Sequence, residues 1–243
     1  MSKELFISSI YLKDEIDKNS YYYQIPAIKF LLNNKLDFDN PITFFIGENG
    51  SGKSTLLEAI AIASGFNSEG GSRNFNFTNR ETCSDLYKYL TIEKANYFKD
   101  GYFLRAETFY NLASNIDEID DGKLIKSYGG TSLHELSHGE SFIALMKNRF
   151  HEKSLFLIDE PEAALSPNRL MQLLVIIHDL IKNGSQFIIA THSPILMSYP
   201  DARLLSFSNS GINEILFEET DHYKITKSFI DNKDRMYKYL FEQ

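Results

Sequence analysis

The stretch ITFFIGENGSGKSTLLEAIAIA, residues 42–63, decides the fold of this 243-residue chain. An apolar, β-rich run from Ile42 to Ile46 leads into a glycine-rich loop, and an apolar, helix-forming segment follows the loop. The loop matches the pattern G-x-x-x-x-G-K-[ST], in which glycines allow backbone N–H groups to wrap around phosphate. The helix after the loop directs the positive end of its dipole at the same point. The stretch therefore predicts a strand, a phosphate-binding loop and a helix, and a flexible Gly/Ser loop without a ligand is the alternative interpretation.

The predicted phosphate loop supplies most of the candidate binding residues. We expect the Lys53 ammonium to reach the β- and γ-phosphates of a nucleotide and the Ser54 hydroxyl to bind Mg²⁺. The loop residues predicted to bind are Gly47, Glu48, Asn49, Gly50, Ser51, Gly52, Lys53, Ser54 and Thr55.

Composition limits the class of protein. The length suits one large α/β domain, or one domain with a small appendage. The chain has 25 basic and 33 acidic residues, a net charge of −8, so its surface as a whole repels nucleic acid and anionic lipid, while a local basic patch stays compatible with this count. A single cysteine, Cys83, excludes an intrachain disulfide.

No apolar run approaches the roughly 20 residues of a membrane span, and Met1 to Ile10 lacks the apolar core of a signal peptide. We therefore expect a cytoplasmic protein without a membrane partner.

Hydrophobic patterns predict the elements on either side of the opening stretch. We expect N-terminal strands at Leu5 to Ile10 and at Tyr21 to Phe30, where an aromatic cluster surrounds Pro26. Further strands are expected at 91–95, 101–106, 155–158, 187–190, 204–207 and 212–217, the last two as a hairpin. Helices are expected at 84–90, 108–119, about 137–150, about 170–181 and in the tail 222–241, a long ordered loop or lid at 65–80, and a polar linker at 121–130.

Two adjacent carboxylates follow the buried strand LFLI, residues 155–158. Asp159 and Glu160 should emerge at the carboxyl edge of the sheet, where α/β proteins bind ligands. This is a Walker B arrangement, in which Asp159 would hold Mg²⁺ through water and Glu160 would orient and deprotonate the attacking water. Because Pro161 suits a first helical turn, two acids at a helix N-terminus are the alternative interpretation.

Two other segments become informative in combination. Ser137 begins a predicted helix that runs to about Phe150, and with Glu140 three residues later it forms a capping box, the favoured interpretation when the segment is taken alone. His192 follows the buried strand FIIA and should reach the same sheet edge as Asp159 and Glu160, although a lone histidine there is more often structural.

Taken in order, these segments resemble the ATP-binding-cassette (ABC) ATPases. The resemblance comprises the phosphate loop, LSHGES in the place of the LSGGQ signature, LFLIDEPE, a D-loop at residues 164–167 and the THSP histidine loop. The segments EPEAALSP and ATHSP resemble the chromosome-maintenance and DNA-repair branch of these ATPases more than they resemble the transporters. Together with FLRAETFYN and GSQFIIATHSPIL, it resembles small stand-alone bacterial predicted ATPases of the AAA/SMC-like branch.

The resemblance implies an α/β fold of the P-loop NTPase type. We expect a mostly parallel central sheet, an antiparallel β part built from the N-terminal strands, and a helical portion that carries the signature. Residues 1–243 would form one domain, with the helical portion at roughly 81–150 and a C-terminal helical tail at roughly 221–243.

The resemblance also assigns roles to site residues. ATP and Mg²⁺ would be bound, Ser137 and Gly139 would contact the γ-phosphate held by a second protomer in a head-to-tail homodimer, and His192 would sense the γ-phosphate in cis. Two departures from the family pattern stand out: His138 replaces the first glycine of the signature pair, and the usual Q-loop glutamine is absent. Glu107 is the nearest candidate for that glutamine's contact with Mg²⁺ or water, and a solvated helix cap is the alternative.

The expected function is Mg²⁺-dependent ATP hydrolysis coupled to opening and closing of the dimer, with a task in DNA repair or phage defence and an unidentified protein partner. Nucleic acid is a further partner that the net charge does not support. One alternative is a nucleotide-gated binding module with negligible turnover, and another is the ATPase subunit of a transporter, which EPEAALSP disfavours. An aromatic residue, Tyr23 for instance, could stack on adenine, with core packing as the alternative role.

Overall fold

The computed structural model describes residues 5–13, 16–73, 84–107, 109 and 137–241, and at His138 only the backbone. Several sequence predictions lie outside these residues. They are Cys83, residues 74–80 of the predicted loop at 65–80, the helix at 108–119 apart from Phe109, the linker at 121–130 and the segment 132–136 before the signature serine.

The described residues form ten strands and seven α-helices. The strands are β1 (Ile7–Leu12), β2 (Leu36–Asp37), β3 (Ile42–Gly47), β4 (Gly71–Ser72), β5 (Leu90–Lys94), β6 (Asp100–Arg105), β7 (Ser154–Asp159), β8 (Gln186–Ala190), β9 (Arg203–Ser208) and β10 (Gly211–Glu214). The α-helices are α1 (Pro26–Asn33), α2 (Lys53–Ala63), α3 (His138–Arg149), α4 (Pro167–Lys182), α5 (Pro194–Met197), α6 (Asp221–Asp231) and α7 (Lys233–Phe241). Short 3₁₀ helices lie at Tyr21–Gln24, Asp85–Lys88, Pro161–Ala163 and Phe217–Glu219.

Seven strands form the central sheet, in the order β10-β9-β3-β8-β7-β6-β4. The five strands from β9 to β6 are parallel to one another, and β10 and β4 pair antiparallel at the two edges. Ala190 at the end of β8 lies beside Phe45 of β3 on one side and beside Asp159 of β7 on the other. The carboxyl ends of these three strands therefore meet at one edge, as the predicted site requires.

Both faces of the central sheet are covered, and β3 shows how its sequence achieves this. Every residue from Ile42 to Ile46 is buried; Phe45 packs into one apolar cluster while Phe44 packs into the other. Helices α1 and α2 and the antiparallel sheet cover the first face, and α3, α4 and α5 cover the second. A strand buried on both faces reads as a continuous apolar run, which is why the sequence alone identifies it.

A second, three-stranded antiparallel sheet has the order β2-β1-β5. Gln186, the fully buried first residue of β8, joins it to the central sheet. The Gln186 side-chain oxygen accepts hydrogen bonds from the backbone N–H groups of Phe6 (2.8 Å) and Ile7 (2.9 Å), and its Nε2 donates to the carbonyl of Ile7 (3.0 Å). One side chain thus satisfies three buried backbone groups at the start of β1.

We expect Gln186→Leu to lower the free energy of unfolding by roughly 2–5 kcal/mol, because it leaves buried backbone groups of Phe6 and Ile7 without partners. Urea unfolding followed by circular dichroism measures this difference. Gln172→Leu, on the exposed face of α4, is the matched control and should change stability by no more than about 0.5 kcal/mol. Equal unfolding midpoints for the two variants would contradict the bridging role of Gln186.

The predicted strand at Tyr21 to Phe30 is wrong. The structure has the 3₁₀ helix Tyr21–Gln24 followed by α1, with Pro26 in its first turn. Proline is well suited to that position, because its missing N–H would have no partner there in any case. Ala27, Ile28 and Leu31 fall on one side of α1 and are buried, so helical packing overrides the strand preference of the aromatic residues.

The other sequence-predicted strands are present. The predicted strands at 91–95 and 101–106 correspond to β5 and β6, which belong to different sheets: β5 pairs with β1 and β6 with β7. The mostly parallel central sheet, the antiparallel N-terminal part and the hairpin of β9 and β10 are confirmed. The antiparallel part uses β1, β2 and β5 rather than the segment at 21–30.

The C-terminal tail is helical, as the sequence predicts. Helix α6 begins after Thr220, whose hydroxyl oxygen accepts a hydrogen bond from the N–H of Tyr223 (3.2 Å), and α7 follows it to Phe241. Neither helix buries a side chain, and Ile225 and Ile230 are exposed. Among the helices described, none has the length and apolar character needed to cross a bilayer.

Candidate functional site

The phosphate loop connects β3 to α2 in a conformation that only glycine suits at two positions. Gly47 has φ +138° and Gly52 has φ +98°, both in the region that disfavours other residues. A Cβ atom at Gly47 would lie 2.4 Å from the carbonyl oxygen of Phe207, and one at Gly52 would lie 2.5 Å from a methyl group of Ile25. The loop is therefore held closely between β9 and the segment before α1.

Lys53 is the first residue of α2 and is 3% exposed. Its ammonium group donates to the carbonyl oxygens of Gly47 (2.8 Å) and Glu48 (2.9 Å), so it is folded back over the loop. Burial lowers the pKa of Lys53, and the nearby carboxylates of Glu160 and Asp159 oppose this shift. The cation is thus held at the loop, near the two carboxylates, and its contact with phosphate stays a prediction.

Ser54 and Asp159 are in direct contact across the sheet edge. The Ser54 hydroxyl donates to Asp159 Oδ1 at 2.9 Å. Burial raises the pKa of Asp159 to about 6, against the opposing charge of Arg105 and the hydrogen bond from Ser54. The predicted metal residues Ser54 and Asp159 are thus brought together. Glu107, two residues beyond the end of β6, is exposed but near enough for its charge to raise the pKa of Asp159 further.

Arg105 connects the Walker B aspartate to α2. Its Nη1 lies 2.6 Å from Glu58 Oε2 and its Nε lies 3.6 Å from Asp159 Oδ2. The second Glu58 oxygen accepts from the N–H of Ser84 at 2.9 Å. Arg105 and Glu58 thus form an ion network that contacts the Asp159 side chain through Oδ2. The sequence analysis did not identify this network.

Glu160 occupies a conformation that is unusual for a residue with a side chain. Its φ and ψ are 47° and 54°, in the left-handed region, and its N–H donates to the carbonyl of Ala190 at 2.9 Å. Backbone strain of this kind costs about 1–3 kcal/mol and is concentrated at functional sites. Glu160 Oε1 lies 3.5 Å from His192 Nε2, so these two predicted catalytic side chains face each other.

Glu162, which the sequence analysis did not single out, fixes the backbone of the histidine loop. Its carboxylate accepts from the Thr191 hydroxyl at 2.8 Å and from the N–H of His192. Thr191 Oγ1 in turn accepts from the N–H of Ser193 at 3.0 Å. Burial raises the pKa of Glu162, while the hydrogen bond from the N–H of His192 lowers it. Of the two glutamates in the EPE sequence, Glu160 thus faces the open site, and Glu162 holds the histidine loop in place.

His192 has contacts on both ring nitrogens. Its Nε2 is buried without a hydrogen bond and faces Glu160, while its Nδ1 lies 3.0 Å from Nε2 of His222, in the C-terminal tail. Burial and the charge of Lys53 lower the pKa of His192. The contact with His222 joins residues 30 positions apart and was not predicted from sequence.

The signature residues begin α3. Glu140 accepts from the backbone N–H (3.0 Å) and the hydroxyl (2.6 Å) of Ser137, which confirms the predicted capping contact. A Cβ atom on Gly139 would lie 3.0 Å from the carbonyl oxygen of Ala164 and 2.9 Å from Cδ of Arg169. The described contacts of Ser137 and Gly139 therefore run to Glu140, the D-loop and α4, and a contact in trans stays a prediction.

The donor atoms of the site suit a nucleotide with Mg²⁺. Two polar atoms, Ser51 Oγ in the loop and His192 Nε2, are buried without hydrogen-bond partners, as expected where phosphate oxygens complete the set. A cavity of about 370 Å³ adjoins the loop residues 47–51. Within the described residues, no group of three or more His, Cys, Asp and Glu side chains forms a metal cage. Mg²⁺ with nucleotide needs none, because it uses one or two protein ligands, water and phosphate.

Tyr23 packs against the apolar core between the central sheet and the antiparallel sheet. The Lys29 ammonium lies 5.6 Å from the centre of its ring. These contacts correspond to core packing, the alternative role that the sequence left open for this residue.

Comparison with known proteins supports the same assignment. The family described as "AAA domain, putative AbiEii toxin, Type IV TA system" matches residues 42–91 and 129–198, which include the phosphate loop, the signature, the Walker B segment and the histidine loop. Xylose import ATP-binding protein XylG from Moorella thermoacetica is 24% identical over 240 residues, covering 89% of this chain and 47% of the relative. DNA replication and repair protein RecF from Leptospira interrogans is 36% identical over 84 residues, covering 35% of this chain and 18% of the relative.

The fold also has a counterpart among solved structures. The structure described as "An inward-facing conformation of a putative metal-chelate type ABC transporter" matches with a TM-score of 0.52 and 14% identity, covering 92% of this chain and 88% of that one. The chain spans less than half the length of each of the two curated relatives. The ordered motifs, the geometry of the site and these matches together show an ABC-type ATPase nucleotide-binding domain.

Proposed function

We propose that this protein binds Mg·ATP at the phosphate loop and hydrolyses it to ADP and phosphate. One observation carries the proposal: Lys53, the Ser54–Asp159 pair, Glu160 and His192 converge on one sheet edge, although they come from three separate parts of the sequence. The left-handed conformation of Glu160 and the buried His192 Nε2, which lies 3.5 Å from Glu160 Oε1 without a hydrogen bond, support a functional role for this edge.

Each residue then has a defined task. The backbone N–H groups of residues 47–55 would bind the phosphate chain, and Lys53 would exchange its loop carbonyls for β- and γ-phosphate oxygens. Ser54 and Asp159 would hold Mg²⁺, with Glu107 as an outer contact. When bound, Mg²⁺ neutralises charge that develops on the phosphate oxygens.

The proton chemistry falls to the other two side chains. Glu160 would orient the attacking water and accept its proton. His192 Nε2 would donate a hydrogen bond to the γ-phosphate from the same side as Glu160. Glu162 would keep the His192 backbone in place through the contacts already described.

The site is proposed to be completed by a second copy of the chain. Ser137 and Gly139 at the N-terminus of α3 would contact the γ-phosphate of the partner protomer, because a helix N-terminus presents N–H groups to anions. The proposed assembly is therefore an ATP-dependent homodimer that closes on two nucleotides and opens after hydrolysis.

The phosphate-loop assignment is tested by Lys53→Ala. We expect this variant to lose ATP affinity by about a hundredfold or more, because it removes a charge-assisted contact in a buried site. Isothermal titration calorimetry with Mg·ATP measures the difference. Lys94→Ala, on the exposed edge of β5, is the control and should bind as the wild-type protein does. Wild-type affinity in Lys53→Ala would refute the assignment.

The cellular task that we favour is DNA repair or phage defence in the cytoplasm. The match to the DNA replication and repair protein RecF supports the repair task. The match to XylG favours a second candidate, the ATPase subunit of a transporter. Affinity purification from cells separates the two, since co-purification with an integral membrane protein would favour the transporter and recovery without one would favour the first task.

A further inference from the structure

The C-terminal tail contributes a histidine to the switch region of the site. His222 lies in the first turn of α6, and its Nε2 lies 3.0 Å from Nδ1 of His192, with the ring centroids 5.2 Å apart. The first turn is well anchored: Thr220 is 2% exposed, its hydroxyl donates to the carbonyl of Phe217 at 2.8 Å, and the rings of Phe217 and Tyr223 pack at 4.7 Å. The position of His222 is therefore fixed by local structure.

A hydrogen bond between two imidazoles needs one donor and one acceptor. Burial is the main cause that lowers the pKa of both histidines. The charge of Lys53 lowers the pKa of His192 further, against the carboxylates of Glu160 and Glu48. The neighbouring His192 and Lys53 lower the pKa of His222 further, against Glu48 and Asp221. Both rings are then neutral near pH 7, and each carries a single N–H. Two arrangements are possible: His222 donates to His192 Nδ1, or His192 donates to His222.

The surroundings of His192 distinguish these arrangements. Its Nε2 faces the carboxylate of Glu160 at 3.5 Å, and a carboxylate is an acceptor. If His192 carried its proton on Nδ1, the Nε2 lone pair would face that carboxylate, which is unfavourable. If His222 donates, the proton of His192 lies on Nε2, directed at Glu160 and available to a phosphate oxygen.

We propose that His222 is a positioning residue, which donates its Nε2–H to His192 and so holds His192 in the Nε2–H tautomer. This inference rests on the proposed function, because that tautomer is the one able to donate to the γ-phosphate. It also gives the tail a role in the site, since α6 holds the ring that orients the switch histidine.

Kinetics of paired substitutions test the donor role. His222→Leu removes the donor, and we expect kcat for ATP hydrolysis to fall about tenfold or more while KM changes less than about twofold. His222→Gln places an amide N–H near the position of Nε2 and should retain kcat within about threefold of wild type. His178→Leu is the control and should leave kcat unchanged. His178 lies on α4, away from the phosphate loop, and its Nδ1 is 3.0 Å from the hydroxyl of Tyr199. Equal losses in the Leu and Gln variants, or none in His222→Leu, would overturn the proposal.

A spectroscopic measurement tests the tautomer without relying on turnover. Long-range ¹H–¹⁵N correlation spectra of the nucleotide-free protein distinguish the two tautomers, and His192→Gln identifies the His192 signals by their loss. We expect the Nε2–H form of His192 in the wild-type protein and in His222→Gln, and a mixture in His222→Leu. An Nδ1–H form in the wild type, or the same tautomer in all three proteins, would overturn the proposal. A protein that shows the expected tautomers but hydrolyses no ATP would instead refute the proposed function.

Discussion

The Glu160→Gln protein should bind Mg·ATP with near wild-type affinity and hydrolyse it at least about a hundredfold more slowly. A carboxamide can still hold a water molecule by hydrogen bonding, but it does not accept the proton of that water. The substitution preserves side-chain length and shape, so the left-handed backbone at this position is no more strained than in the wild type. The loss should therefore appear in kcat and not in affinity.

Single-turnover phosphate release and equilibrium binding of ATP measure the two quantities separately. Glu152→Gln, in the exposed turn before β7, is the matched control and should retain wild-type turnover. Hydrolysis by Glu160→Gln within about threefold of wild type would remove Glu160 from the role of general base, because general base catalysis contributes about 10²–10⁴-fold.

Mixing two inactive variants should restore activity if the site is completed in trans. Ser137→Arg places a bulky cation at the start of α3 and should block closure while leaving the phosphate loop of the same chain intact. Lys53→Ala removes ATP binding but leaves the signature intact. In their heterodimer one site has an intact phosphate loop and an intact signature, and the other site carries both defects.

The expected recovery can be stated as a number. Each heterodimer has one working site in two. Turnover per chain should therefore reach about a quarter of wild type if all pairs form equally, and about half if only heterodimers form. A mixture of Lys53→Ala with Glu160→Gln is the control. Both defects then lie in the half-site that holds the nucleotide, so neither site of that heterodimer is intact and no recovery is expected.

Light scattering gives a second readout of the same assembly. ATP that contacts both protomers stabilises the dimer, and hydrolysis removes the γ-phosphate that joins them. Glu160→Gln should therefore accumulate as a dimer in the presence of Mg·ATP. A Glu160→Gln protein that stays monomeric at saturating ATP, together with no recovery on mixing, would refute assembly in trans.

The central sheet was predictable because its strands carry local signals. β3, β7 and β8 are short apolar runs buried on both faces, each followed by polar residues at the sheet edge. The segment at 21–30 was not predictable from its composition, because its tyrosines favour a strand while the spacing of Ala27, Ile28 and Leu31 favours a helix. The segment forms α1, which packs against β1 and β10, and no local sequence pattern indicates that packing.

The candidate site likewise has contacts that the sequence predicts and contacts that it does not predict. The contact between Ser54 and Asp159 and the approach of Glu160 to His192 follow from motifs placed at the ends of neighbouring strands. The supporting contacts do not follow from motifs. Glu162 turns back to the histidine loop, and His222 arrives from the tail, so each depends on tertiary structure between segments about 30 positions apart.

Phosphate release by the purified wild-type chain with Mg·ATP measures the central claim most directly. The account predicts turnover that saturates with ATP, increases with protein concentration as dimers form, and is lost on chelation of Mg²⁺ and in Lys53→Ala. Tight ATP binding without phosphate release at any protein concentration, with or without cell extract, would contradict it and would identify the chain as a nucleotide-gated binding module.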